Sequence, residues 1–124
     1  MQSNTLCLDT SALIELYTEN EEVARIVGSY DEVYITSLTI FEFGKRKLPI
    51  DVIEEIIGSH VTITVGYDES ILALQIFKSL VKSGQLIEDN DILIGAACIV
   101  HNIPLLTLNK KHFSRMKKFG LKLV

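Results

Sequence analysis

Four short apolar runs, Thr5–Leu8 (TLCL), Val33–Thr36 (VYIT), Val61–Val65 (VTITV) and Pro104–Leu108 (PLLTL), are separated by segments with helical periodicity. Runs this short and this continuously apolar have the pattern of strands covered on both faces. Strands that alternate with helices are joined by crossovers, which makes their sheet parallel. Helices are expected over Ser11–Tyr17, Glu21–Ser29, Ser37–Lys47, Ile50–Ile57, Asp68 to about Lys82, Asp89–Val100 and Lys110–Lys117. Asp9 or Thr10 is the N-cap of the first, Asp68 the cap of the fifth; Pro49 and Gly58 act as stops. Leu121–Val124 adds a candidate edge strand. The pattern predicts one domain spanning residues 1–124, a three-layer α/β/α sandwich around a mainly parallel sheet of four to five strands.

The segment Asp89–Val100 (DNDILIGAACIV) is apolar nearly all round, so it is expected to be buried on several sides. Gly95, Ala96 and Ala97 allow it to approach the sheet closely. The two cysteines, Cys7 and Cys98, lie in apolar runs without a Cys-x-x-Cys spacing and read as buried thiols. Gln2, Ser3 and Asn4 precede only a four-residue apolar run, too short for a signal peptide, and no run has the roughly 20 residues that span a bilayer. A cytoplasmic protein without a membrane partner is expected.

The net charge of −4 hides an asymmetry. Residues 1–91 hold all 16 acids, whereas the chain after Asp91 has none and carries Lys110, Lys111, Arg115, Lys117, Lys118 and Lys122. A basic lobe beside an acidic centre attracts phosphates while the acids hold a cation; an ordinary solvated lysine face is the competing reading.

Three acids stand out by position. Ligand sites of open parallel sheets form beyond the carboxyl ends of the strands, where Asp9 follows the first strand and Asn109 the fourth. Asp91 lies in the first turn of the buried helix, and Glu42 is embedded in IFEFG. Each has an ordinary structural role available. Asp9 can cap a helix, Glu42 can pair with Arg46 one turn on, and Asp89 and Asp91 can both serve a helix N-terminus. If they converge, a cap does not compensate: two carboxylates about 4 Å apart repel by roughly 4 kcal/mol at an effective dielectric near 20. A hard dication does, and oxygen ligands without His or Cys select Mg²⁺ or Mn²⁺ over Zn²⁺. His60, His101 and His112 lack zinc-binding spacing and read as surface or structural residues.

Together, CLDTSALIEL, TSLTIFEFGK and DNDILIGAACIVHNIPLLTLNKKHF resemble the PIN-domain family, in particular the VapC-type toxins of toxin–antitoxin pairs, over nearly the whole chain. The resemblance implies a metal-dependent endoribonuclease that hydrolyses RNA phosphodiesters with a metal-activated water. Asp9 and Asp91 would be the principal metal ligands and Glu42 the third acid, with Thr10 or Ser11 steadying the site. Asn109 stands where the family often has a fourth acid, Asp89 is a nearby substitute for it, and Gly95 replaces a usual Ala, a mild change. Lys110, Lys111 and Arg46 are expected to grip the RNA backbone. A cognate antitoxin and a homodimer are the implied protein partners. Two alternatives remain at this stage. One is a PIN-like module that binds RNA or protein without cutting, which Asn109 favours. The other is a haloacid-dehalogenase-like phosphatase, whose first motif would need an acid where Ser11 stands.

Overall fold

The computed structural model describes residues 4–124; Gln2 and Ser3 lie outside the described residues. The chain runs β1 (Thr5–Leu8), α1 (Thr10–Tyr17), α2 (Glu21–Gly28), β2 (Glu32–Thr36), α3 (Ser37–Gly44), α4 (Ile50–Gly58), β3 (Val61–Ile63), α5 (Tyr67–Lys82), α6 (Asp89–His101), β4 (Leu105–Leu106) and α7 (Lys110–Phe113), and a 3₁₀ turn covers Ser114–Phe119. The four strands form one sheet in the order β3-β2-β1-β4, every pair parallel. Leu105 also bridges Leu123 in parallel, so the expected edge strand shrinks to a single bridge.

Alternation along β1 divides the core. Leu6 and Leu8 point to one layer with Ala12, Leu13, Phe43 and Ile53. Cys7 points to the other layer with Ile76, Ile92, Ile94 and Cys98. Both thiols are free and buried, as their apolar surroundings predict. The three-layer α/β/α architecture read from the sequence is the one observed. Among the described residues no helix is long and apolar enough to cross a membrane.

The ends of three helices differ from expectation for identifiable reasons. The third helix stops at Gly44 rather than Lys47. The fifth begins at Tyr67, and Asp68 does not cap it. Instead, the buried Glu69 reaches back and accepts from the Gly66 N–H at 2.7 Å, the reciprocal half of a capping box. The last basic helix divides after Phe113 into a 3₁₀ turn.

Gly95 is not a mild replacement for alanine here. A Cβ at that position would come within 2.5 Å of both Sδ and Cε of the fully buried Met116. The missing side chain lets the 3₁₀ turn pack directly on α6. That packing holds the basic C-terminal segment against the helix carrying Asp91.

Candidate active site

The order in which strands are added reverses at β1. The chain moves outward from β1 to β2 and β3, then crosses back to place β4 on the other side of β1. Such a switch point leaves a crevice beyond the carboxyl ends of the two strands, and ligands bind there. Asp9 leaves β1 into this crevice, and Thr107 and Asn109 leave β4 into it.

Asp9 is only 4% exposed and is held by three donors. Its Oδ1 accepts from the Ala12 N–H at 2.9 Å, the N-cap bond of α1, and from Ser11 Oγ at 2.7 Å. Its Oδ2 accepts from Thr107 Oγ1 at 2.5 Å. Ser11 Oγ in turn accepts from the Leu108 N–H, and Thr107 Oγ1 from the Asn109 N–H. The capping role and the site role of Asp9 are therefore compatible: one oxygen closes the helix and the other fixes β4.

Glu42 lies between two helices. Thr10 Oγ1 donates to its Oε1 at 2.7 Å, and Asn90 Nδ2 donates to its Oε2 at 3.3 Å. A file of buried hydroxyls, Thr36 to Thr39, backs Thr10. Asp91, next to Asn90, accepts from Asn109 Nδ2 at 3.5 Å. The interactions close a ring through Asp9, the start of α1, Glu42, Asn90 and Asp91, Asn109, Thr107 and back to Asp9. Three acids from distant parts of the chain are thus joined through amide and hydroxyl donors.

Their charges are mutually felt. Burial raises the Asp9 carboxyl, hydrogen bonds from Thr107, Ala12 and Ser11 oppose the rise, and the Glu42 charge adds to it. Asp91 is pushed up to about 6, first by burial, then by the negative charges of Asp9, Glu88 and Glu42, with His112 opposing. An arrangement that raises two carboxyls at once is one that a cation would relieve.

The donor set suits a hard dication in kind, since it consists of carboxylate oxygens with hydroxyl and amide neighbours. It is not drawn up into a compact triad. Among the described residues no three His, Cys, Asp or Glu side chains form a ready-made metal site. Three of the roughly four acceptor directions on Asp9 are already used by protein donors, leaving one for a cation.

The remaining sequence candidates divide. Thr10, Ser11 and Asn109 belong to the ring. Lys110 and Lys111 are exposed beside it on α7; Lys110 also lines a groove with Asn20, Glu22, Thr107 and Leu108. Asp89 does not join the acids. It lines a groove between α5 and α6 with Ser70, Phe77 and Leu93, because two residues along a helix turn a side chain by roughly 200°. Arg46 is also elsewhere. It lies 5.9 Å over the Phe43 ring, beside Ile14, Tyr17 and Val52. The Glu42–Arg46 pair does not form because α3 has ended at Gly44, so the one-turn spacing is lost.

Sequence reasoning passed over Thr107, Asn90, Glu88 and His112. Thr107 is fully buried at a strand end, and a hydroxyl there, one strand across from an acid, was the available signal. His112 was read as surface or structural, yet its Nδ1 lies 2.9 Å from Asn109 Nδ2.

Comparison with known proteins identifies the family and the fold. The family model described as "PIN domain" matches residues 6–119. "Ribonuclease VapC1" of Methanocaldococcus jannaschii is 32% identical over 98% of this chain and 88% of its own. Among solved structures, VapBC-1 from nontypeable Haemophilus influenzae superposes with a TM-score of 0.83 at 23% identity, covering 97% of this chain and 96% of that one. A toxin–antitoxin complex from Klebsiella pneumoniae gives 0.78 at 18% identity, covering 96% and 95%. With the strand-end acids, their ring of donors and a match along nearly its whole length, the chain belongs to the PIN-domain family, among its VapC-type members.

Proposed function

We propose that this protein is a Mg²⁺- or Mn²⁺-dependent endoribonuclease and the toxin of a toxin–antitoxin pair. The observation that carries the reading is the ring of donors that holds Asp9, Glu42 and Asp91 around one crevice at the sheet's switch point. The names of its relatives, a ribonuclease among them, support the choice of RNA. Asp9, Glu42 and Asp91 would hold the cation. When bound, it supplies the positive charge that activates water and offsets the negative charge developing at phosphorus.

The protein groups have separate tasks. Thr107, Ser11 and the Ala12 N–H keep Asp9 from turning away from the crevice. Thr10 and Asn90 fix both oxygens of Glu42. Asp91, whose side chain accepts only from Asn109 Nδ2 among the described residues, is the acid left freest to orient a water. Lys110 and Lys111 contribute sequence-independent attraction for the RNA backbone. Ser11 donates to Asp9 instead of supplying a second acid, which gives no support to the phosphatase reading.

A protein antitoxin and a second copy of the chain complete the proposed assembly; complexes of the matched fold support the first. The reading is tested by incubating single-stranded RNA with the purified protein and Mg²⁺ or Mn²⁺, with and without EDTA. Cleavage that EDTA abolishes is expected. RNA binding with no cleavage even when Mg²⁺ or Mn²⁺ is present would support a non-catalytic module instead.

A further inference from the structure

Asn109 Nδ2 lies between two acceptors, 3.5 Å from Asp91 Oδ2 and 2.9 Å from His112 Nδ1. An ionised carboxylate only accepts, so the amide group must face Asp91 with its NH₂ end. The same NH₂ then donates to His112 Nδ1, which must carry a lone pair. In a neutral imidazole the proton consequently sits on Nε2. Among the described residues Nε2 has no hydrogen-bond partner, and the half-buried His112 is not left with a buried unsatisfied nitrogen. The result is a fixed donor open to solvent at the edge of an acidic crevice. Lys110 and Lys111 precede it directly.

A phosphodiester approaching Asp9, Glu42 and Asp91 meets like charge, so donors close to the acids decide whether it can be seated. We infer that His112 is a substrate-binding residue, its Nε2–H donating to a phosphate oxygen of the RNA strand, and that Asn109 is the positioning residue that fixes this tautomer. The inference rests on the ribonuclease reading and adds to it a residue and a role. It also gives Asn109 a function that an acid would not perform. A carboxylate at position 109 would accept from Nδ1–H instead of donating to Nδ1, so it could not select the Nε2–H tautomer.

Two substitutions separate phosphate binding from mere bracing of Asn109. Asparagine mimics the near nitrogen, Nδ1, whereas glutamine reaches the position of the far one, Nε2. Binding of a labelled single-stranded RNA to the full chain is measured in EDTA at low salt. His112→Asn is expected to weaken binding by about tenfold, the loss of one hydrogen bond to a charged acceptor, while His112→Gln stays near wild type. Equal effects, or the reverse order, would overturn the inference while wild-type binding leaves the ribonuclease reading standing. If the wild-type protein binds no RNA in EDTA, the inference falls, while the ribonuclease reading is decided by cleavage in Mg²⁺ or Mn²⁺. Should a variant fail to fold, histidine ¹⁵N spectra of the wild-type protein decide. An Nε2-bound proton whose signal moves on adding RNA is expected; a proton on Nδ1, or a signal indifferent to RNA, overturns it.

Discussion

Thr107 Oγ1 donates to Asp9 Oδ2 at 2.5 Å, joining the ends of two adjacent strands whose residues lie 98 positions apart. The same oxygen accepts from the Asn109 N–H. Thr107→Val keeps the shape but removes the donor to Asp9 and the acceptor for Asn109. It is expected to cost about 1–3 kcal/mol of stability and to reduce RNA cleavage well beyond that of Thr107→Ser, which retains the hydroxyl. Thermal unfolding and cleavage rates of the two variants check this. Equal activity would show that the bond is dispensable to the site.

Asp91 makes the cation-free fold sensitive to pH. A carboxyl whose folded pKa exceeds its unfolded value binds its proton more tightly when folded. Its contribution to stability therefore declines as pH rises from 3.8 through about 6, and stays low above. Asp91→Asn should remove that decline, so the melting-temperature difference between variant and wild type in EDTA should grow in the variant's favour over this interval. Mg²⁺ should stabilise the wild type at pH 7 more than at pH 5. A difference that does not change with pH would contradict the electrostatic coupling of the acids.

Asp9→Asn should not match Asp91→Asn. Three donors converge on the Asp9 oxygens, including the cap bond of α1. An amide group replaces one acceptor with a donor and faces either Thr107 or the start of the helix with the wrong polarity. Both variants are expected to lose cleavage, but only Asp9→Asn should melt below the wild type in EDTA at pH 7. Paired melting curves decide it.

Gly95→Ala tests the packing that holds the basic segment on α6. Alanine gains about 1 kcal/mol in helix propensity, against roughly 1–3 kcal/mol for overpacking the buried Met116. A net loss is expected, and it should shrink in a Met116→Leu background, where the clashing Sδ–Cε end is gone. Denaturant unfolding of the double-mutant cycle reads the coupling; additive effects would contradict the close approach.

The sheet and the three acids were legible because local pattern determines them. Apolar runs such as TLCL locate the strands, and the parallel-sheet rule directs attention to whatever follows them, here Asp9 and Asn109. What stayed hidden depends on angle and ending. Asp89 and Asp91 look equivalent in sequence, yet the helix turns one toward α5 and the other toward the crevice. Arg46 looked paired with Glu42 because helical spacing was carried past Gly44. Thr107 and Asn90 matter through partners remote in sequence, Asp9 and Glu42, and a single residue type carries no mark of such a partner; His112 meets Asn109 only three residues back, but the direction of that amide is set by the distant Asp91.

If Asp9, Glu42 and Asp91 share one hard dication, calorimetric titration of Mn²⁺ into the wild type, Asp9→Asn, Glu42→Gln and Asp91→Asn measures that sharing directly. A single saturable wild-type site is predicted, weakened in each variant by at least about tenfold, the loss that even outer partners of a metal cause. Undiminished Mn²⁺ binding by Glu42→Gln and Asp91→Asn would contradict the account.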